Sequence, residues 1–272
     1  MFRLTLFSLL FLISNLVWGQ AFLMGKVQQT DNQAIPFVNI GIKGKNLGTT
    51  SDLEGNFKFA LNSTIMNDTL TFSCVGFQSV LLPISSLQPD KVNVIVLSEK
   101  IKELNEVVVT TKKMRIKKVG TKSYNPLVWG SVESTDTRDI LEVGKTIKVK
   151  KPSEVLKASI YLRGVNIDTA TFRVNFYKIQ DDLPADRLIE QNILVRQKIK
   201  DGWLHIDLSP YQIYVKEDFF VSLEFLPQAQ TEKISFYYGA TMAGSSLSRT
   251  VSLGSWEKFV GASLSMYVTL RN

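Results

Sequence analysis

Apolar and polar side chains alternate with a period of two residues in many short runs of this chain, and this pattern constrains its fold more than any other feature. Successive side chains of a β-strand point to opposite faces of the sheet, so such a run indicates a strand with one buried face. Turn-forming residues separate the runs; residues 52–55 (DLEG), for example, fit a tight hairpin turn. Helical periodicity is weak, so we predict an all-β protein. The clearest alternating runs cover residues 57–61, 158–163, 172–177, 203–208, 219–225 and 262–270.

Residues 1–19 have the pattern of a secretory signal peptide. Arg3 supplies a positive charge, residues 4–17 are apolar, and small residues precede a cleavage site before Gln20. The apolar run is shorter than the about 20 residues that span a bilayer, which argues against a membrane anchor. We therefore predict an exported protein of the periplasm, the outer membrane or the cell surface, with no transmembrane segment after cleavage.

A dense run of basic residues marks the predicted boundary between two domains. The net charge of +7 is concentrated in the basic runs 112–118 and 145–151. Such runs occur in nucleic-acid-binding proteins, but an exported protein has little contact with nucleic acid. We interpret them as solvated segments and expect no nucleic-acid partner; contact with an anionic envelope surface stays open. The predicted boundaries are 20–111 for the first β-sandwich, 112–118 for a basic linker and 119–272 for the second β-sandwich.

Four segments of the first domain, in this order, resemble the carboxypeptidase-regulatory-like domain family. They are Gly25-Lys26-Val27, residues 34–40 (AIPFVNI), residues 48–57 (GTTSDLEGNF) and residues 72–77 (FSCVGF). The resemblance implies a seven-stranded, transthyretin-like β-sandwich of the kind found on TonB-dependent outer-membrane receptors. The family name does not imply peptidase activity, because the domain resembles an appendage of carboxypeptidases and not their zinc catalytic domain.

A short segment after this domain resembles the TonB box of those receptors. In the receptors the box pairs with TonB as an added strand. The same β-branched residues are also typical of a last sandwich strand. We favour this structural interpretation, because the rest of the chain leaves no room for a receptor barrel, and we keep TonB as an alternative partner. The segment consists of Glu106, Val107, Val108, Val109 and Thr110.

Several classes of chemistry have no support in the sequence. Cys74 is the only cysteine and His205 the only histidine, which excludes an internal disulfide and the common zinc sites. A serine hydrolase triad would need His205, but the chain lacks the Gly-x-Ser-x-Gly motif that presents the serine. We expect no metal, no cofactor and no catalytic residue, and we expect Cys74 to be a buried, inert thiol.

The second domain carries a candidate ligand-binding face. It is expected to be a jelly-roll-like sandwich, and the polar faces of its strands combine aromatic rings with hydrogen-bonding groups, as sugar-binding surfaces do. Whether these strands are neighbours in one sheet cannot be read from the pattern, and we favour the interpretation that they form the solvated outer faces of two different sheets. The candidate ligand-binding residues are Arg173, Asn175, Tyr177, Trp203, His205 and Asp207; Tyr161, Arg163, Phe220 and Glu224 lie on the same polar faces.

The sequence therefore favours a non-catalytic binding or scaffolding protein of the bacterial cell envelope, with an envelope protein or a glycan as its partner. The first alternative is a carbohydrate-binding accessory protein of a polymer-uptake system. A hydrolase is a distant third interpretation, because paired carboxylates occur in any β protein and their spacing does not single out a catalytic pair.

Overall fold

The computed structural model describes residues 21–89, 91–100, 114–133, 139–226 and 235–272. For residues 131–133 and 235 it describes the backbone alone. The predicted signal peptide and the TonB-box-like segment, Glu106 to Thr110, lie outside these ranges. The described residues form strands, three short 3-10 helices (Ser63–Ile65, Ile84–Ser86 and Ser209–Tyr211) and no α-helix, as the sequence predicts. Within these ranges no helix is long and apolar enough to span a bilayer.

The N-terminal part contains seven described strands in two sheets, in agreement with the seven-stranded sandwich that the resemblance implies. One sheet has the order β4-β1-β7 and the other β3-β2-β5-β6, and the pair β1–β7 is parallel. Their apolar faces enclose one core, which includes Cys74. The strands are β1 (Phe22–Gln28), β2 (Asn39–Gly41), β3 (Gly48–Thr50), β4 (Asn56–Ala60), β5 (Thr69–Ser73), β6 (Val80–Pro83) and β7 (Val92–Val96).

The C-terminal part contains thirteen described strands, and all of its strand pairs are antiparallel. They are β8 (Ile116–Gly120), β9 (Trp129–Glu133), β10 (Leu141–Ile147), β11 (Ser153–Arg163), β12 (Thr169–Gln180), β13 (Leu183–Arg187), β14 (Ile193–Lys198), β15 (Gly202–Asp207), β16 (Ile213–Val215), β17 (Phe219–Leu226), β18 (Ser235–Arg249), β19 (Glu257–Leu264) and β20 (Met266–Arg271).

These strands form two layers joined by the long strand β18. We call β8, β9, β11, β15, β16 and β20 the outer layer, and β10, β12, β13, β14, β17 and β19 the middle layer. The first half of β18 pairs with β9 and β11, and its second half pairs with β10 and β19. Apolar side chains of both layers meet in one core, as the alternation of Leu204, Ile206 and Leu208 predicts.

The middle layer is covered on both faces, which the sequence did not indicate. Every residue of β17 is buried, and β12 is buried from Ala170 to Tyr177. The expectation that Phe220 and Glu224 lie on a solvated face is therefore wrong. The second face is covered by the N-terminal part, through residues such as Phe37, and by the segment around Trp256.

The predicted basic linker extends too far. Residues 112 and 113 are not described, but residues 116–118 belong to β8 and pair with β20. β8 ends the order of the outer layer, and among the described strands only β20 flanks it. An edge strand needs backbone pairing but little apolar surface, and lysines on such a strand discourage pairing with other chains. This is why Lys117 and Lys118 occur in a strand without the expected alternation.

Candidate functional site

The structure separates the six predicted ligand-binding residues into two sets. Trp203, His205 and Asp207 lie on β15, on the face of the outer layer that points away from the core, and Trp203 is half-buried while the other two are exposed. Arg173, Asn175 and Tyr177 lie on β12 in the middle layer and are buried. The two sets are therefore on two different sheets, and only the first is open to solvent.

Cross-strand pairing brings further aromatic residues next to Trp203. Tyr161 on β11 is its direct partner in the register, and Ser159 pairs both with His205 on β15 and with Tyr267 on β20. Direct cross-strand partners lie on the same face of a sheet, which places all of these side chains on the outer face. We call Tyr124, Tyr161, Trp203, His205 and Tyr267 the aromatic strip.

The rings of the aromatic strip are in mutual contact. Tyr124, from the loop between β8 and β9, stacks on Tyr161 with 3.9 Å between ring centroids and 15° between planes. Tyr161 meets Trp203 edge-on at 5.5 Å, and Trp203 meets Tyr267 at 4.9 Å. Such edge and stacked pairs stabilise one another and hold the rings in fixed orientations. Tyr124 is 45% exposed and Tyr267 only 5%, so the strip is open to solvent at Tyr124 and buried at Tyr267.

A second aromatic group continues the outer face beyond Arg163. The ring centroids of Trp129 on β9 and Tyr237 on β18 are 6.2 Å apart. The guanidinium carbon of Arg163 lies 4.7 Å from the centroid of the Trp129 ring. Arg163 also donates a hydrogen bond to the backbone oxygen of Pro126 at 2.6 Å. A guanidinium over an indole is a favourable cation–π contact, so Trp129 has a defined position although it is 46% exposed.

His205 has a positive electrostatic environment. Its Nδ1 shares a hydrogen bond of 2.8 Å with Ser159 Oγ. Partial burial, followed by the positive charges of Lys157 and Lys118, holds the pKa of His205 below its ordinary value. Ser159 is almost fully buried, so this Ser–His pair does not present a nucleophile to solvent. Asp207 accepts hydrogen bonds from the backbone nitrogen and the hydroxyl of Ser209.

The buried set forms part of a polar network between the two domains. Arg173 is 0% exposed and donates to Glu224 Oε1 at 3.0 Å, to Asn39 Oδ1 at 3.1 Å and to the backbone oxygen of Phe37 at 2.6 Å. Asn39 and Phe37 belong to the N-terminal domain, and Asn39 also donates to Glu224. A buried guanidinium requires a charge partner and several acceptors, and here both domains supply them.

Glu142 is the second buried carboxylate of this interface. It accepts hydrogen bonds from Asn175 at 2.9 Å and from Tyr177 at 3.0 Å, and it forms an ion pair with Arg249. Asn175 also donates to Glu224 Oε2 at 2.7 Å, which links the two carboxylates. The polar atoms of Asn175 and Tyr177 are thus engaged inside the protein.

The charge balance around Glu224 favours its ionised form. Burial of Glu224 opposes ionisation, but Arg173, Arg187 and Arg249 together outweigh it and hold the pKa of this carboxyl below its ordinary value. A general acid of a glycosidase needs a raised pKa and access to substrate, and Glu224 has neither. Among the described residues, no group of three His, Cys, Asp or Glu side chains is arranged to hold a metal ion.

Tyr124, Trp129 and Tyr267 are members of the outer face that the sequence analysis did not include. Tyr267 alternates with Met266 and Val268 in the last run, so its outward position was readable from the pattern. Tyr124 lies in a loop without periodicity, and no local signal indicates that it stacks on Tyr161.

Comparison with known proteins assigns the first domain. Residues 23–109 match the family model of the CarboxypepD_reg-like domain, so the N-terminal part of the chain is a domain of this family. The match does not extend to the second domain. No curated protein matches the chain.

Solved structures resemble the chain only distantly. A clostridial cysteine protease after propeptide cleavage has 8% identity and a TM-score of 0.41, with 95% of this chain and 73% of that chain covered. The cysteine protease and lectin-like domains of a surface-layer associated protein of Clostridium difficile have 8% identity and a TM-score of 0.40, with 95% and 65% covered. A carbohydrate-binding module of the β-sandwich superfamily has 11% identity and a TM-score of 0.23, with 80% and 94% covered. Similarities at this level carry no argument about function.

The family match and the fold together describe a CarboxypepD_reg-like domain followed by a β-sandwich.

Proposed function

We propose that this chain is an exported, non-catalytic binding protein of the bacterial cell envelope and that the aromatic strip is its recognition surface. The observation that carries the proposal is that Tyr124, Tyr161 and Trp203 lie in contact on one solvent-facing sheet surface. Their mutual packing limits rotamer freedom before a ligand arrives, which lowers the entropy lost on binding. A rigid aromatic surface of this kind is suited to binding and offers no reacting group.

The composition of the strip favours a carbohydrate ligand. The apolar face of a sugar ring can stack on Trp203 or Tyr124, while His205 and the hydroxyl groups of the tyrosines supply hydrogen bonds. One stacked sugar contributes only a few kcal/mol at about 25 cal/mol per Å². Useful affinity therefore needs several subsites along a polymer. This supports the narrower proposal of an accessory protein in a polymer-uptake system.

The first domain would serve as a rigid support. The network around Arg173 and the ion pair between Lys100 and Glu190 at 2.7 Å join it to the second domain. A buried, hydrogen-bonded contact of this type fixes the relative position of two domains better than a solvated linker does. TonB would remain a partner only through the Glu106–Thr110 segment, as proposed from its resemblance to a TonB box.

The test measures binding of the purified mature protein to a panel of neutral and acidic polysaccharides by affinity gel electrophoresis. We expect retardation by at least one polymer and a loss of about tenfold in affinity for Trp203→Ala. Phe259→Ala is the matched control, because Phe259 is an exposed aromatic residue of β19 outside the strip. Its affinity should equal that of the wild type.

Two results would contradict the proposal. One is the absence of binding to every polymer of the panel. The other is equal weakening by Trp203→Ala and Phe259→Ala, which would indicate nonspecific apolar adhesion.

Export is tested by mass spectrometry of the protein isolated from the cells that make it naturally. Its mass should correspond to a chain that begins at Gln20, and an intact Met1 would refute export with cleavage.

A further inference from the structure

The outer face carries basic residues at the end of the aromatic strip where Tyr267 lies. The register places Lys118 of β8 opposite Thr269 of β20, and Thr269 opposite Lys157 of β11. These two lysines therefore flank β20 on the outer face. The ammonium group of Lys118 lies 5.1 Å from the ring centroid of Tyr267, so aromatic surface and positive charge are adjacent.

These charges are not neutralised by ion pairs of the protein. Among the ion pairs of the described residues, none involves Lys118 or Lys157. Asp207 of β15 is the cross-strand partner of Lys157 and partly offsets its charge, although the two form no ion pair and the carboxylate accepts two hydrogen bonds from Ser209. Charged groups that the fold does not use are available to a ligand of opposite charge.

The surroundings of His205 are positively charged. It is faced by Ser159 and Lys157 from β11, by Tyr267 from β20 and by Lys118 from β8. Partial burial lowers the pKa of His205, and the charges of Lys157 and Lys118 lower it further. The positions of Lys118 and Lys157 beside β20 make the end of the strip at His205 attractive to anions, and their contribution to the pKa of His205 has the sign expected for a positive potential.

We propose that the aromatic strip binds an acidic polysaccharide, with sugar rings stacked on Tyr124 and Trp203 and carboxylate groups of the polymer next to Lys118 and Lys157. This inference rests on the proposed function and specifies the ligand class. Stacking fixes the position of the sugar rings, and the lysines select polymers that carry negative charge. Strands β8, β20, β11 and β15 lie side by side, so one polymer can cross the aromatic and the basic parts of the surface.

The experiment compares three polymers on the purified mature protein: polygalacturonate as an acidic polysaccharide, dextran as a neutral one and polyglutamate as a polyanion without sugar rings. We expect the tightest binding to polygalacturonate. Replacement of both lysines, Lys118→Gln with Lys157→Gln, should weaken that binding about tenfold. The control is Lys178→Gln with Lys198→Gln, which removes the same charge from exposed positions of β12 and β14. It should change the affinity by less than about twofold.

Nuclear magnetic resonance adds a site-specific measurement. His205 is the only histidine, so its ring signal needs no assignment. An anion bound next to Lys118 and Lys157 offsets their field, so polygalacturonate should raise the pKa of His205 and dextran should leave it unchanged. The Trp203→Ala variant should lose both the binding and the shift.

The outcomes separate this inference from the proposed function. Binding of dextran as tight as that of polygalacturonate, with loss in Trp203→Ala, would retain the proposed function and overturn the acidic ligand class. Equal binding of polyglutamate and polygalacturonate, insensitive to Trp203→Ala, would overturn the inference in favour of nonspecific charge attraction. No binding of polygalacturonate, with binding of another polymer of the panel that Trp203→Ala weakens, would overturn this inference and retain the proposed function; no binding to any polymer of the panel would overturn both.

Discussion

Lys145 of β10 carries a charge that the surrounding protein stabilises only with neutral groups. Its ammonium group donates to Ser263 Oγ at 2.8 Å, to the backbone oxygen of Leu264 at 3.3 Å and to Thr121 Oγ1. Among the ion pairs of the described residues, none includes Lys145. Burial lowers the pKa of Lys145 from 10.5 to about 8, because the charged form loses hydration without gaining a counter-ion.

This shift predicts a pH-dependent stability. Between pH 8 and pH 10.5 the unfolded chain retains the Lys145 proton while the folded protein releases it, so the free energy of unfolding should rise with pH in this window. After allowance for the partial exposure of the side chain, we expect a rise on the order of 1 kcal/mol. Urea denaturation of the wild type and Lys145→Met at several pH values isolates this contribution from the other titrating residues. An equal pH dependence of both proteins would contradict it.

Arg173 illustrates why residue type matters at the interface. Its planar guanidinium donates in several directions at once, to a side-chain carboxylate, a side-chain amide and the backbone oxygen of Phe37. The single ammonium of a lysine cannot reproduce this geometry. Truncation of Arg173 would leave Glu224 buried without its ion-pair partner, a type of change that costs about 3–5 kcal/mol.

At the scale of elements, the short strand β3 contacts the second domain through a glycine. A Cβ atom on Gly48 would lie 2.7 Å from the backbone oxygen of Ser252 and 2.9 Å from Asp139 Oδ2, both in the second domain. The φ angle of Gly48 is one that other residues adopt, so steric contact alone accounts for the glycine. The sequence analysis did not identify β3 as a strand, because GTT has neither alternation nor length.

We therefore expect Gly48→Ala to destabilise the protein by about 1–3 kcal/mol through overpacking at the domain contact. The matched control is Gly130→Ala in β9, where a Cβ atom would meet nothing within 4 Å. Thermal or urea denaturation measures both. Similar stability of the two variants would contradict this prediction, because it would show that residues 251–254 can move to admit the methyl group without lowering the free energy of unfolding.

At the scale of the whole molecule, the two domains form one interface with polar and apolar parts. Phe37 of the first domain packs with Ile140 and Leu226 of the second in a small buried cluster next to the Arg173 network. Asp139 of the second domain accepts a hydrogen bond from Thr50 of the first at 3.3 Å. The contacts that join the two domains therefore lie outside the predicted linker, residues 112–118.

Limited trypsin digestion tests this arrangement. We expect trypsin to cleave within the basic run 112–118 and the two pieces to co-elute in size-exclusion chromatography under native conditions. Combining Arg173→Met with Phe37→Ala should weaken their association, because it removes the Arg173 hydrogen bonds and the apolar packing of Phe37. Separate elution of an unaltered C-terminal piece of roughly 150 residues, a size able to bury its own core, would contradict the rigid connection.

The sequence by itself determined the all-β class, the family of the first domain and the core face of strands that are covered on one side. Leu204, Ile206 and Leu208 are buried as the alternation predicts, and Trp203 and His205 point away from the core. These features depend on the two-residue period of a strand, which is a local property. They require no knowledge of which strands are neighbours.

Only the tertiary structure decided what covers the second face of each sheet. Arg173, Asn175 and Tyr177 alternate with core residues in the same way as Trp203 and His205, yet they are buried because the first domain and the segment around Trp256 lie over the middle layer. The period of a strand distinguishes its two faces but cannot tell solvent from a second packed layer. The stacking of Tyr124 on Tyr161 likewise depends on a loop that crosses the outer face, a contact between distant parts of the chain that no local pattern encodes.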